Sequence, residues 1–550
     1  MAEVAYSAPT LVEDSDPARR ARGVSPLAEE LVIGLIGYAG SGCSSVADTL
    51  EAILVEMGYQ PARVKLSNEI VKRSPGKPLV VPEKGTEEGI QKLKRARELQ
   101  NLGDALRKNH GNHAVAALAI KEIVRIKKED YPNKKKIAFI LDSIKHSDEV
   151  DLLRRVYDRS FRLVAVHCER GRREERLIGD LKSKRKYRGA PPEDVKDYLD
   201  RDEKDKDNDH GQQVRDAFFL ADYFLDNNLK TEDGLRIAAD LERFANLLLG
   251  RELVRPTVEE TGMFYADAAA LQSACLSRQV GASLQTPDGR IVASGANEVP
   301  KFGGGVYAEG DKNDHRCFKW DWESPSGTFN GCHNARLKDD LRRKIAEWMG
   351  KSFSNDLAEI FLPHTQDSMF AHEKERLELS KKIYDFFVRN PDNFIKMPGI
   401  REIIEYSRSI HAEMNTLFNA ARQGISPEGC TLYTTTFPCH NCARHLVTAG
   451  IKVVYYIEPF VKSLAKDLHH DAISTETPKD DAKKERGSML VLPFTGVGPR
   501  MYRDYFLKTV PLKNDITGAF KHPDAGIPGY AVRLKELADV ERAAAELVGE

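Results

Sequence analysis

The first strong pattern in the chain is the apolar run Leu31–Gly37 (LVIGLIG), which opens into GYAGSGCSS, Gly37–Ser45, and then into an amphipathic stretch from Val46. A short apolar run, a glycine-rich loop and a 3.6-residue period read as strand, loop and helix. Further strands are predicted at Ala62–Leu66, Ile137–Asp142, Leu163–Cys168 and Ala221–Asn228, with helical patterns over Glu87–Lys108 and His113–Lys128 between them. Alternation of this kind implies a parallel α/β sheet. A second α/β pattern runs from about Phe264 to Lys508, with strands predicted at Gly281–Gln285, Ile291–Ala296, Thr431–Thr435 and Val453–Ile457. Residues 301–410 form an insert of about 110 residues, too long for an ordinary loop and with helical patterns of its own. Tyr530–Val548 reads as a charged amphipathic helix closing the chain.

At 550 residues the chain exceeds what one hydrophobic core supports. The expected organisation is a disordered arm over 1–30, an α/β domain over 31–253, a second over 254–510, and a tail with a helix over 511–550. The 83 basic and 84 acidic side chains leave a net charge of -1, so no global field draws the protein to nucleic acid or an anionic membrane. Residues 1–30 lack the apolar core of a secretory signal, and no stretch reaches 18 uninterrupted apolar residues. A cytoplasmic protein with no membrane partner is expected. The segment Lys182–His210 is so charged that it predicts a solvated excursion or mobile lid.

Eight cysteines do not make a disulfide framework in a chain this long, and two of them form a Cys-x-x-Cys pair. That pair belongs to Pro438-Cys439-His440-Asn441-Cys442 and follows His411-Ala412-Glu413. A catalytic zinc takes three protein ligands and keeps one position open. His411, Cys439 and Cys442 supply such a set, with Cys439 and Cys442 at i and i+3 on one face of a predicted helix. Glu413 is then free to carry protons for water made nucleophilic near neutral pH. A purely structural zinc would require a fourth protein ligand, and it leaves Glu413 unexplained.

The two motifs together are the signature of zinc nucleobase deaminases. The chain around them resembles the deoxycytidylate deaminase family at Ser277–Ala282, Gly295–Pro300, Leu432–Thr435 and Gly450–Tyr455. The resemblance implies a cytidine deaminase-like α/β/α domain, a Zn2+ cofactor and hydrolytic deamination of dCMP or dCTP. It also implies that Asn297 holds the deoxyribose hydroxyl, with Ser277 and Arg278 as further substrate contacts. Glu298 departs from the glycine usual in the small members of the family. The whole architecture is similar to bacterial antiviral deoxycytidine nucleotide deaminases that carry an N-terminal P-loop kinase-like domain. That similarity implies antiphage defence by nucleotide depletion, regulation through the front domain, a homo-oligomer, and in some members a small regulatory RNA.

The front loop follows G-x-x-x-x-G-K-[ST] at Gly37, Gly42, Ser44 and Ser45, but Cys43 stands at the lysine position. Loss of that charge predicts poor phosphotransfer and leaves nucleotide binding (ATP, GTP or a dNTP, with Mg2+) open. Asp142 is the candidate magnesium-side acid, and Arg172, Arg173 and Arg176 resemble lid arginines, although a solvated helix face accounts for them as well. His315, Cys317, Cys332 and His333 form a weaker candidate for a second zinc. Two rival functions stand beside the nucleotide deaminase. One is a polynucleotide cytosine deaminase, which needs a basic groove with stacking aromatics; the other is a nucleotide- or RNA-binding signalling protein whose zinc only holds the fold.

Overall fold

The strand that opens the chain is buried at every one of its seven positions, as a central parallel strand must be when both its faces are covered. In the computed structural model this is β1 (Leu31–Gly37), followed by β2 (Gln60–Lys65), β3 (Ile137–Ile144), β4 (Phe161–His167) and β5 (Tyr223–Asp226). The structure describes residues 30–549 except 75–78, 80–87, 133–135, 179–191, 206–207, 229–233, 251, 325–326, 362–368, 390–405, 460–462, 476–486, 508–512 and 521–533. The expected arm over residues 1–29 therefore lies outside the described residues, as do residues 182–191 of the charged segment. β1 pairs in parallel with β3 and β4, β2 with β3, and β4 with β5. Leu31, Ile33 and Leu35 meet Val46, Leu50 and Leu54 of the helix Cys43–Glu56 and Leu241, Phe244 and Leu248 of the helix Gly234–Leu249. These residues form the core under the glycine-rich loop.

The remaining strands are β6 (Gly281–Gln285), β7 (Ile291–Ala296), β8 (Trp322–Ser324), β9 (Gly327–Phe329), β10 (Thr431–Thr436), β11 (Val453–Glu458), β12 (Ile473–Ser474), β13 (Met489–Pro493) and β14 (Gly496–Val497). The first sheet runs β14-β5-β4-β1-β3-β2 and the second β12-β13-β11-β10-β6-β7, so the fold is mixed α/β with two six-stranded sheets. β6 pairs antiparallel with both β7 and β10. The described part of the insert holds the β8–β9 hairpin and two long helices, His333–Phe361 and Met369–Arg389. Among the described residues no helix is long and apolar enough to cross a membrane.

The chain divides into two compact units, each built from segments that are discontinuous in sequence. One unit comprises Met1–Phe264, Tyr455–Pro459 and Leu492–Glu550; the other comprises Tyr265–Val454 and Phe460–Val491. The end of the chain belongs to the first unit for physical reasons. β14 adds an antiparallel edge to β5, and the helix Leu534–Glu546 packs on the helix Ala114–Glu129, with Glu541 bonded to Lys127 at 2.7 Å. The described helix of this C-terminal region thus packs within the first unit.

The charged segment is corrected, because its second half folds. Pro192–Glu203 is a helix in which Val195 and Leu199 are fully buried against Leu93 and Ala39. Val195, Leu199 and Asp202 fall at i, i+4 and i+7, one narrow face amid charge. Nearby, Arg107 and Glu149 form a buried ion pair, with Nη2 to Oε1 at 2.8 Å and Nε to Oε1 at 3.0 Å. The other oxygen of Glu149 accepts the Lys145 and His146 N–H groups at 2.9 and 3.3 Å, which fixes the turn that follows β3. Removing one partner of a buried pair strands the other charge. Arg107→Met should therefore lower stability by about 3–5 kcal/mol in denaturant unfolding; a loss below about 1 kcal/mol would mean that water solvates Glu149 in the native state.

Candidate active site and glycine-rich loop

In the unit beginning at Tyr265, the helix Ala412–Arg422 presses on the β6–β7 hairpin. Asn415 donates to Ala296 O at 2.9 Å and Thr416 to Ala282 O at 3.2 Å. A Cβ added to Gly295 would lie 2.7 Å from Thr416 N, so only glycine admits the helix this closely. His411 is the extended N-cap of this helix, and the strand bridge Glu298–Ile410 holds the residue before it. The carboxylate of Glu298, the departure noted above, is buried and accepts the Ala274 and Val299 N–H groups at 2.7 and 2.8 Å. β10 leads to Cys439, which caps the helix His440–Thr448 with its sulfur accepting the Cys442 N–H at 3.4 Å. Both motifs begin helices, as the sequence predicts.

These two helix starts bring three ligands together. Cys439 Sγ lies 3.2 Å and Cys442 Sγ 3.3 Å from His411 Nδ1, and all three ligand atoms fall within 4.8 Å of one another. Zinc at about 2.3 Å from sulfur and 2.0–2.1 Å from nitrogen requires tetrahedral S···N spacings of roughly 3.6 Å, so the side chains fit the ion with a shift of a few tenths of an ångström. Glu413, buried in the first turn, has Oε2 3.4 Å from Cys442 Sγ. The charge distribution also suits a cation. The hydrogen bond from Cys442, with help from His411, pulls the Cys439 thiol down to about 4. The same shared proton, together with burial, pushes Cys442 up. His411 is drawn up to about 9 by its bond to Cys439, and burial followed by the Cys439 charge raises Glu413.

The expected substrate residues lie on the segment before β6 and the end of β7. Asn297 Oδ1 accepts the Val280 N–H at 2.7 Å, and its Nδ2 donates to Arg278 O at 3.0 Å, so its amide shapes the 278–280 segment. Ser277 and Arg278 are exposed, and Ser277 Oγ is 3.7 Å from Cys332 Sγ. The proposed second metal set is not assembled. Among the described residues, only His411, Cys439 and Cys442 bring three ligand atoms together. His315 instead stacks on Tyr307 and meets Trp320 edge to face, while Cys317, Cys332 and His333 line a small cleft with Cys275, which the sequence reading passed over.

In the other unit the loop takes the geometry of its motif. Gly42 caps the helix Cys43–Glu56 at φ 90, and a Cβ there would meet Asn227 Nδ2 at 2.4 Å. Ser44 Oγ donates to Asp142 Oδ2 at 2.8 Å, joining the loop motif to the candidate magnesium-side acid. Ser45 is exposed on the helix's first turn, and Cys43 is buried with its thiol pKa raised by that burial. Arg173 is buried and so is not on a solvated face, whereas Arg176 is exposed yet donates to Gly40 O and Ser41 O; Arg172 pairs with its helix neighbour Glu175. Sequence reasoning missed Lys145, whose ammonium donates to Gly37 O at 3.0 Å.

With this geometry in hand, comparison with known proteins adds the following. Residues 386–458 match the family model described as the cytidine and deoxycytidylate deaminase zinc-binding region. Among curated relatives, ComE operon protein 2 of Bacillus subtilis (strain 168) is 41% identical over 54 residues, 10% of this chain and 29% of that protein. The deoxycytidylate deaminase of Enterobacteria phage T2 is 46% identical over 54 residues, again 10% and 29%. The chain thus spans about 29% of the length of these relatives. Of solved structures, the dCMP deaminase of cyanophage S-TIM5 with dCMP and dUMP aligns over 44% of this chain and 99% of its own at 17% identity and a TM-score of 0.21. Shikimate kinase from Bacteroides thetaiotaomicron aligns over 40% and 98% at 15% identity and a TM-score of 0.23. The segment that carries the His/Cys/Cys cluster is therefore similar to a deaminase zinc-binding region.

Elemental analysis of the purified chain should find one zinc per chain at this cluster, with Cys439→Ser and Cys442→Ser each losing it, since thiolate ligation supplies most of the affinity. Gly295→Val should reduce zinc occupancy without touching a ligand, because it displaces the helix that carries His411. Full occupancy in Gly295→Val would show that the cluster does not depend on that close approach.

Proposed function

We propose that the chain is a zinc-dependent deaminase of free deoxycytidine nucleotides, dCMP or dCTP, yielding the deoxyuridine nucleotide and ammonia. The observation that carries this reading is a three-ligand cluster with a buried carboxyl, Glu413, against one of its sulfurs. Three ligands leave a tetrahedral ion one open position, which a structural site would fill. When bound, zinc there supplies Lewis-acid activation of a water molecule. The rest is the work of the chain's own residues. Glu413 accepts a proton from the attacking water and delivers it to ring nitrogen N3; as the new C4 hydroxyl becomes a carbonyl, Glu413 takes its proton and passes it to the amino group, which leaves as ammonia. Burial keeps this exchange away from bulk solvent.

The near-neutral balance of 83 basic against 84 acidic residues supports a small nucleotide over a polynucleotide, which a strongly basic surface would attract. The loop Gly37–Ser45, with Ser44 bonded to Asp142, supports nucleotide binding in the front unit as a control on deamination. Antiphage defence by nucleotide depletion and a homo-oligomeric state rest on the resemblance of the architecture.

Ammonia release measured side by side on dCMP, dCTP and single-stranded DNA tests the substrate class, with turnover expected on a free nucleotide only. Glu413→Ala should retain zinc and lose about 10²–10⁴-fold in kcat. Turnover on single-stranded DNA alone, or full activity in Glu413→Ala, would defeat this reading.

A further inference from the structure

A glycine-rich loop between a strand and a helix collects negative charge, because its backbone N–H groups converge and the helix dipole adds to them. Here the loop already has an anion, supplied by the chain itself. Asp202, on the helix Pro192–Glu203, is only 1% exposed. Its Oδ2 accepts the Ala39 N–H at 2.6 Å, and its Oδ1 accepts from Lys145 Nζ at 2.9 Å. The same ammonium reaches Gly37 O at 3.0 Å, and its charge is felt at the Cys43 sulfur. Lys145 therefore brings to the loop, from the turn after β3, the cation that position 43 lacks. The Arg107–Glu149 pair holds that turn through the Lys145 N–H.

The neighbours of Asp202 repeat the arrangement. Asp200 pairs with Arg170 at 2.6 Å and Glu203 with Arg173 at 2.7 Å, both arginines on the helix Arg170–Ile178 beside the loop. The Arg173 guanidinium lies 4.7 Å from the centre of the Tyr38 ring, within the loop, and its Nη1 is buried without a hydrogen-bond partner. A buried cationic N–H with no acceptor is unfavourable, so this group marks a place for an oxygen-rich ligand that the carboxylates fill incompletely. A small apolar cluster seats the acidic helix, with Val195 and Leu199 fully buried and Tyr198, Leu177 and Ile178 packed beside them, and the ion pairs at Asp200, Asp202 and Glu203 complete its attachment.

We propose that the helix Pro192–Glu203 is an acidic latch whose Asp202 stands where a phosphate of a nucleoside triphosphate binds, and that Lys145 replaces the loop lysine missing at Cys43. This rests on reading Gly37–Ser45 as a nucleotide-binding loop. A polyphosphate chain carries more charge than one carboxylate and more acceptors for Lys145, Arg173 and the loop N–H groups, so binding it exchanges the partners of those cations without leaving them bare. The latched state withholds the site and lowers apparent affinity by the fraction of chains that are closed.

The test is binding and local exchange on the full chain, with deamination left out of the readout. With ATP, GTP or a deoxynucleoside triphosphate and Mg2+, hydrogen exchange of the wild-type protein should rise over residues 192–203 and fall over 38–45. Asp202→Asn, which keeps an acceptor for Ala39 N–H and removes the charge, should tighten nucleotide binding by about tenfold or more, and Lys145→Met should weaken it by about tenfold or more. If Asp202→Asn fails to fold, the exchange measurement on the wild-type chain still decides. Nucleotide protection of 38–45 with residues 192–203 unchanged would overturn the latch while sparing the loop reading. No protection of 38–45 by any of these nucleotides would overturn both.

Discussion

The unit beginning at Tyr265 depends on two helices that start within ligand distance of each other. His411 and Cys439 are both extended N-caps, at φ -76, ψ 152 and φ -70, ψ 165, so each side chain leaves the backbone just ahead of its helix. Cys442 follows one turn later and Glu413 two residues after His411. Because N-terminal N–H groups are unsatisfied and the dipole is positive there, a thiolate is more stable at this point than elsewhere on a helix. The Cys442 N–H donated to Cys439 sulfur is the visible form of that effect. Moving either helix by an ångström would separate the ligands, which is why the close seat of Ala412–Arg422 over Gly295 matters to chemistry it never touches.

The parallel-sheet unit answers to a different constraint, the placement of charge around a loop of backbone N–H groups. Two cations beside the loop, Lys145 and Arg173, are both matched by carboxylates of one short helix. Pairing of this kind does not by itself stabilise a fold, because desolvating both charges offsets much of their attraction. It does fix which helix lies where. The segment is held by a small apolar cluster together with these ion pairs, and the charge part of that attachment can be matched by a ligand.

Much of this was legible in the sequence. The strands Leu31–Gly37, Gly281–Gln285 and Ile291–Ala296 stand as the hydrophobic pattern predicts, and both zinc-motif helices begin where their ligands are. What was not legible came from contacts between residues far apart in the chain. Lys145 follows a strand end with nothing local to mark it, and only the parallel register of β1 and β3 brings it to Gly37. Val195 and Leu199 are two apolar residues in a charged run, too few to outweigh composition, yet they suffice once Leu93 and Ala39 are beside them. The return of β14 to β5 was hidden for the same reason, since a two-residue strand has no period to read.

The missing loop lysine is better understood as a displacement of function than as decay. A retained structural turn would need the glycines, but it would have no use for Ser44 bonded to Asp142 or for a lysine delivered from another strand. A loop decayed from catalysis would leave its cations free to drift into solvent, whereas Lys145, Arg173 and Arg176 each make specific bonds at or beside it. Placing the ammonium on the turn after β3 and not on the loop helix moves the loop's cation away from the position that serves phosphoryl transfer in loops with the usual lysine. Under the proposal that the loop binds a nucleotide, a loop built this way suits sensing it more than consuming it.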